Sequence, residues 1–188
     1  MGKEFLFIIN NIVLKKIITI FGSSIPKEGD SEFNFAYQLG RLLALNNFNI
    51  CTGGYRGIMH AASKGCTECG GEAIGITVDL WGAAPSEFLT KEIKCTTLFE
   101  RIVKLIETGD GYLILKGGTG TLLELAAVWE LMNKNLAKKK PAVCNSEMWR
   151  EIVSVMEKQI EFEKRSSGLI KYFDKAEEIA DFFKSSLS

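Results

Sequence analysis

Two short segments of this sequence are dense in glycine, and each lies where an apolar run gives way to a helical period. One is Lys116-Gly117-Gly118-Thr119-Gly120-Thr121-Leu122-Leu123-Glu124. Glycines let the chain turn tightly and leave the peptide N–H groups open to a ligand, with no side chain between. A helix starting here offers its unpaired N–H groups and the positive end of its dipole, which suits a phosphate. Thr119 and Thr121 add hydroxyl donors. Thr121 and Glu124 are three residues apart, so they share a helix face beside that phosphate position. A carboxylate next to an anion is electrostatically awkward, and Glu124 is therefore expected to face a sugar hydroxyl or a developing cation. The other segment is Gly53-Gly54-Tyr55-Arg56-Gly57-Ile58-Met59, with three glycines in five positions. Either segment alone reads equally well as a tight connection. Two of them at neighbouring strand ends point to a ligand.

The elements that must hold these turns alternate along the chain. Apolar runs predict strands at 17–21, 49–52, 72–78, 93–96, 111–115, 141–144 and 169–173. Helical periods predict helices at 33–45, about 57–64, 98–107, 121–133, 148–161 and 174–185, with a loop over 79–92. Asp174 and Glu177 have capping-box spacing at the start of the last helix. Strand–helix alternation with strands apolar on both faces predicts an α/β, Rossmann-like doubly wound, mainly parallel sheet with helices on both faces. Ligands of such sheets sit beyond the carboxyl ends of the strands, at the switch point in strand order. That directs attention to the turns after residues 21, 52 and 115, the first of which is Gly22-Ser23-Ser24.

The chain has 188 residues, which fits a single domain over 1–188. Residues 1–16 carry an apolar stretch broken by Asn10 and Asn11, too short to span a bilayer and without a small-residue cleavage site. An extra N-terminal strand or an oligomer contact is the expectation there. Lys+Arg and Asp+Glu balance at 23 each, which argues against a nucleic-acid partner. Lys138 to Lys140 read as a solvated helix end. Five cysteines at 51, 66, 69, 95 and 144 have no framework spacing, so free thiols in a reducing, cytoplasmic setting are expected. Only Cys66 and Cys69 are paired in C-x-x-C, His60 stands alone, and no metal site is expected. No Walker loop occurs, and Gly118-x-Gly120 is followed by Leu123 where a dinucleotide loop has its third glycine. No organic cofactor is expected either.

The segment 116–124 resembles the Pro-Gly-Gly-x-Gly-Thr-x-x-Glu hallmark of the Lonely Guy family of nucleoside-monophosphate phosphoribohydrolases, long labelled lysine decarboxylases. It matches at every fixed position but the first, where Lys116 stands for proline. The family's Met-x-x-Arg-Lys motif aligns on Leu98 to Ile102, its Gly-Gly-x-x-Gly-x-Met turn on 53–59, and its first strand ending on Gly22-Ser23-Ser24. The resemblance covers about residues 17–185 and makes Arg101 and Glu124 the catalytic pair. It implies a 5′-phosphate held by Gly22, Ser23, Gly53, Gly54, Gly57, Met59 and Gly117 to Thr121, including Gly118, Thr119 and Gly120. It also implies hydrolysis of the N-glycosidic bond, releasing base and ribose 5-phosphate, and a homodimer or higher homo-oligomer with the pocket near the interface. Ile102 replaces the motif lysine, Leu123 a second acid, and His60 a common glycine. Molybdenum-cofactor carriers share the fold, so a non-catalytic binder of a phosphorylated ligand is the alternative. A pyridoxal-phosphate decarboxylase has no marked Schiff-base lysine to support it.

Overall fold

The computed structural model describes residues 15–79 and 82–187. The expectation for residues 1–16 therefore lies, except for its last two residues, outside the described part of the chain, as does Trp81 in the expected 79–92 loop.

Seven strands form one sheet: β1 Ile17–Phe21, β2 Asn49–Thr52, β3 Ala73–Val78, β4 Lys91–Cys95, β5 Gly111–Ile114, β6 Ala142–Cys144 and β7 Ile170–Tyr172. Six helices are described: α1 Ser31–Leu45, α2 Ile58–Glu68, α3 Leu98–Thr108, α4 Thr119–Asn133, α5 Glu147–Phe162 and α6 Ala176–Leu187. The strand order is β4-β3-β2-β1-β5-β6-β7, and every pairing is parallel. The chain winds outward from β1 to one edge, returns to β5 and winds to the other edge. The switch point therefore lies between β1 and β5. Ile20 is level with Thr52 on one side and Leu113 on the other, so the ends of β1, β2 and β5 open at the same height.

Each face of the sheet has its own apolar layer. On one face, Ile18, Ile20, Ile50 and Leu113 pack against Leu39 and Leu43 of α1, Ile58 and Ala62 of α2, and Ile179 and Phe183 of α6. On the other, Phe21, Ile76, Tyr112 and Ile114 meet Leu105 of α3, Leu125 and Trp129 of α4, and Trp149 of α5. Leu39, Leu43 and Leu105 are wholly buried, each contributing about 1.5–3 kcal/mol.

Several element boundaries differ from the expected ones, most by one or two residues. α4 begins at Thr119, two residues before the expected start, so Thr119 and Gly120 belong to its first turn. α2 runs on to Glu68, past the expected Lys64. β4 begins at Lys91, inside the expected loop. Its side chains at Lys91, Glu92 and Lys94 are exposed, as an edge strand allows, and this polarity hides it. The Asp174–Glu177 capping box is not the start of the last helix. α6 begins at Ala176, and the Asp174 carboxylate accepts instead from the Tyr172 hydroxyl.

Burial pushes the Cys51, Cys66 and Cys144 thiols up to about 12, which keeps these three protonated in the neutral range. No described helix is long and apolar enough to cross a membrane.

Candidate functional site

Ser23, just past β1, ties the three strand ends together. Its N–H donates to Lys116 O (3.1 Å) and its carbonyl accepts from Ile58 N (2.9 Å). The turn after β5 and the first residue of α2 are thus both fastened to the turn after β1. Trp149 adds a strut from α5, donating Nε1–H to Leu115 O at 2.9 Å.

α3 carries Arg101 into this junction. Its N-terminus is well capped: Thr97 Oγ1 accepts from Glu100 N (3.1 Å), and Glu100 accepts from Thr96 N (2.7 Å). Ile102, Leu105 and Ile106 bury on the sheet, which drives the neighbouring Arg101 under the ends of β2 and β3. Arg101 is only 6% exposed. Its Nε–H donates to Ile76 O (2.8 Å) and its Nη2–H to Gly53 O (3.2 Å). Tyr55 lies under the guanidinium, 5.8 Å from ring centroid to Cζ. That ring is itself fixed by its hydroxyl, which accepts from Val78 N at 2.9 Å and donates to Val78 O. Two carbonyls and a ring face hold the fork in one orientation. Nη1 is left facing Glu124, 3.6 Å from Oε1.

Glu124 comes from the second turn of α4. Burial pushes its carboxyl up to about 7, against the opposing pull of Arg101. It therefore exchanges a proton in the neutral range where an ordinary glutamate is fully ionised.

A cavity of about 520 Å³ opens over this pair. Among the residues expected from the sequence, Gly22, Ser23, Gly53, Met59, Arg101, Gly118, Thr119, Gly120, Thr121 and Glu124 line it. Gly54, Gly57 and Gly117 do not. They pack against protein: a β-carbon on Gly54 would meet Thr77, one on Gly57 the Ser23 carbonyl, and one on Gly117 the Thr121 hydroxyl. Gly57 also has φ +67°, which disfavours any side chain. Gly118 and Gly120 differ, since a β-carbon there would meet nothing within 4 Å. Their open side is the space a ligand would need to reach the α4 amides.

Lys116 is not in this cavity. It turns the other way and pairs with Glu32 at 2.7 Å, a contact that holds Glu32 down at about 2. Ile102, in place of the motif lysine, is buried in the α3 layer. Leu123 is partly exposed on the outer side of α4.

Sequence reasoning passed over several lining residues. Tyr55 and Arg56 are the variable positions of the glycine motif, and an arginine between two glycines at a strand end was a usable signal. Ile25 and Ala83 also line the cavity. Ala83 lies in a loop whose folding back is fastened by Ser86 N donating to Gly54 O at 2.8 Å, which nothing local in the sequence announces.

The chain is similar to known proteins over most of its length. It is 26% identical over 147 residues to the cytokinin riboside 5′-monophosphate phosphoribohydrolase of Rhodococcoides fascians, covering 76% of this chain and 74% of that one. It is 29% identical over 117 residues to an uncharacterized protein of Archaeoglobus fulgidus, covering 62% of this chain and 76% of the other. In shape it matches the molybdenum cofactor binding protein of Rippkaea orientalis, with TM-score 0.74 and 23% identity over 94% of this chain and 99% of that one. The Moco carrier protein of Chlamydomonas reinhardtii matches with TM-score 0.73 and 20% identity over 92% of this chain and 98% of that one. At such identities the two structural likenesses speak to the fold. The family model of the SLOG cluster4 family matches residues 15–177, from β1 into α6, and the chain belongs to that family.

Proposed function

We propose that the protein hydrolyses the N-glycosidic bond of a nucleoside 5′-monophosphate, releasing the base and ribose 5-phosphate. The observation that carries this reading is the buried Arg101–Glu124 pair at 3.6 Å on the wall of a cavity whose other side is the open Gly118–Thr121 turn. Similarity to the Rhodococcoides fascians phosphoribohydrolase supports it.

The 5′-phosphate rests on the first amides of α4, where the helix dipole and the Thr119 and Thr121 hydroxyls favour an anion. This anchors the sugar so that C1′ comes near Glu124. As the C1′–N bond breaks, its electron pair leaves with the base and positive charge spreads over the ribose. The Glu124 carboxylate stabilises that charge and takes a proton from the attacking water, whose hydroxyl bonds to C1′; the proton is then passed to the departing base nitrogen. A carboxyl already raised to about 7 is a stronger base than an ordinary glutamate, yet half ionised at neutral pH. Arg101 keeps the carboxylate aimed. It cannot swing away to neutralise the phosphate, because its other donors are bound to Ile76 O and Gly53 O.

The same reading includes a homodimer. The outer sides of α3, α4 and α5 expose Phe99, Val103, Leu122, Leu123, Val155, Met156 and Phe162, with Phe99 at 73% and Phe162 at 81%. On the helices of the opposite face, Leu45 is the one large apolar side chain so exposed among the described residues. A helix apolar all round, as α4 is, belongs in a buried place, and a second copy offers the same face in return. Phe99→Glu should halve the mass measured by light scattering; an unchanged mass would place any contact elsewhere.

The activity is tested by incubating the protein with AMP and other nucleoside monophosphates and measuring ribose 5-phosphate and free base. Stoichiometric release of both is expected. No release, together with thermal stabilisation by a phosphorylated ligand, would make this a binder or carrier instead.

A further inference from the structure

Beside the first cavity lies a second, of about 620 Å³, and Ser24, Ile25 and Arg56 line both. None of the residues that carry the phosphate and the catalysis in the proposed function, Gly118 to Thr121, Arg101 and Glu124, lines the second; of the wider set implied by the resemblance, Gly57 does. The passage between the two is therefore away from the phosphate turn. A nucleotide anchored by its phosphate on that turn has its base end free to point through the passage.

The second cavity has an aromatic floor and an uneven charge. Phe33 and His60 lie side by side, with ring centroids 6.2 Å apart. His60 is braced by Ser86 Oγ, 3.0 Å from Nδ1, and by the edge of Phe88 at 4.9 Å. Of its two acids, Glu28 pairs with Lys64 at 2.9 Å, while Glu87 is exposed and in no ion pair among the described residues. Its two exposed cations, Arg56 and Lys27, take part in no ion pair among the described residues. Arg56 stands at the passage and Lys27 within the second cavity alone.

We infer that the second cavity is a subsite for an anionic arm carried on the base, so that the preferred ligand is a nucleoside monophosphate whose base bears a carboxylate- or phosphate-containing substituent. The inference rests on the nucleotide reading of the first cavity and narrows it. The base would lie over the His60–Phe33 floor, and the acid groups would meet Arg56 and Lys27. A simple apolar arm would leave both cations without partners.

Equilibrium binding separates this from the parent reading without requiring turnover. The intact protein is titrated calorimetrically with AMP, with adenylosuccinate (AMP carrying a dicarboxylate arm on the exocyclic amine), and with AMP carrying a five-carbon apolar arm at the same nitrogen. Adenylosuccinate should bind about tenfold tighter than AMP, an advantage that shrinks as salt is raised. Lys27→Glu, a surface change in a loop, should remove that advantage and leave AMP affinity within about twofold. The inference is overturned if the dicarboxylate arm gives no gain, if the apolar arm gives the larger one, or if Lys27→Glu leaves the gain intact. Absence of binding by all three nucleotides would overturn the nucleotide reading itself.

Discussion

The turn after β2 and the turn after β5 each hold three glycines, yet a methyl group added to them would meet different surroundings. At Gly53 it would run into the Arg101 guanidinium, and at Gly57 into the Ser23 carbonyl. At Gly118 and Gly120 it would meet nothing within 4 Å. Glycine in the first turn lets protein approach protein: it makes room for the arginine and for the splice to β1. In the second, Gly117 is packed against Thr121, while Gly118 and Gly120 leave room for something else. The first turn thus shapes the site, and the second faces the ligand.

The largest effect should come from the sealed turn. Gly57→Ala places a β-carbon on a residue with φ +67° against the Ser23 carbonyl, which also accepts from Ile58 N. A loss of about 2–4 kcal/mol is expected, read as a fall in Tm of roughly 5–15 °C. A Tm unchanged within a degree would show that this turn is not under that constraint.

Gly118→Ala should do the reverse. Stability should stay within about 0.5 kcal/mol of the parent, while AMP affinity falls about tenfold as the methyl group enters the ligand's space. Calorimetric binding checks this; an unaltered dissociation constant would mean that the open side of Gly118 is not where the phosphate lies.

The third effect is electrostatic and bears on what stands between the turns. Because burial raises the Glu124 carboxyl to about 7, the folded state holds this proton more tightly than the unfolded chain does. Folding is therefore favoured by this group below its ordinary carboxylate range, and that contribution is lost as pH rises from there through about 7. Glu124→Gln, which does not titrate, should gain stability relative to the parent between pH 5 and pH 8. Parallel denaturation curves at the two pH values would contradict the burial argument. Catalysis has the opposite sign, since the ionised carboxylate is the working form: turnover should rise with pH through about 7.

Much of the scaffold could be read from the sequence because it rests on local signals. The buried strands β1, β3 and β5 are near-continuous apolar runs, and the amphipathic period of α1 and α3 is plain. The glycine segments also marked the correct strand ends. What could not be read depends on distance. The polar first residues of β4, Lys91 and Glu92, look like loop until they are paired with β3, although the strand was expected from Ile93 on. The role of Gly53 depends on Arg101, 48 positions away, and that of Gly57 on Ser23. Lys116 lies in the same segment as the open glycines, but only its ion pair with Glu32 reveals that it faces away. Tyr55 and Arg56 were visible as letters, and the cavity they line was not. For the α6 start, the Asp174–Glu177 spacing was a genuine local signal, overridden when Tyr172 took up the Asp174 carboxylate.

The measurement that bears most directly on the central claim is a paired assay of Glu124→Gln, with AMP turnover and AMP binding followed on the same preparation. The amide keeps the shape of the side chain but can neither carry the charge nor accept the proton. The account predicts a loss of about 100- to 10,000-fold in release of ribose 5-phosphate, with the dissociation constant for AMP within about threefold of the parent. Turnover retained within tenfold would contradict it and place the chemistry on another residue.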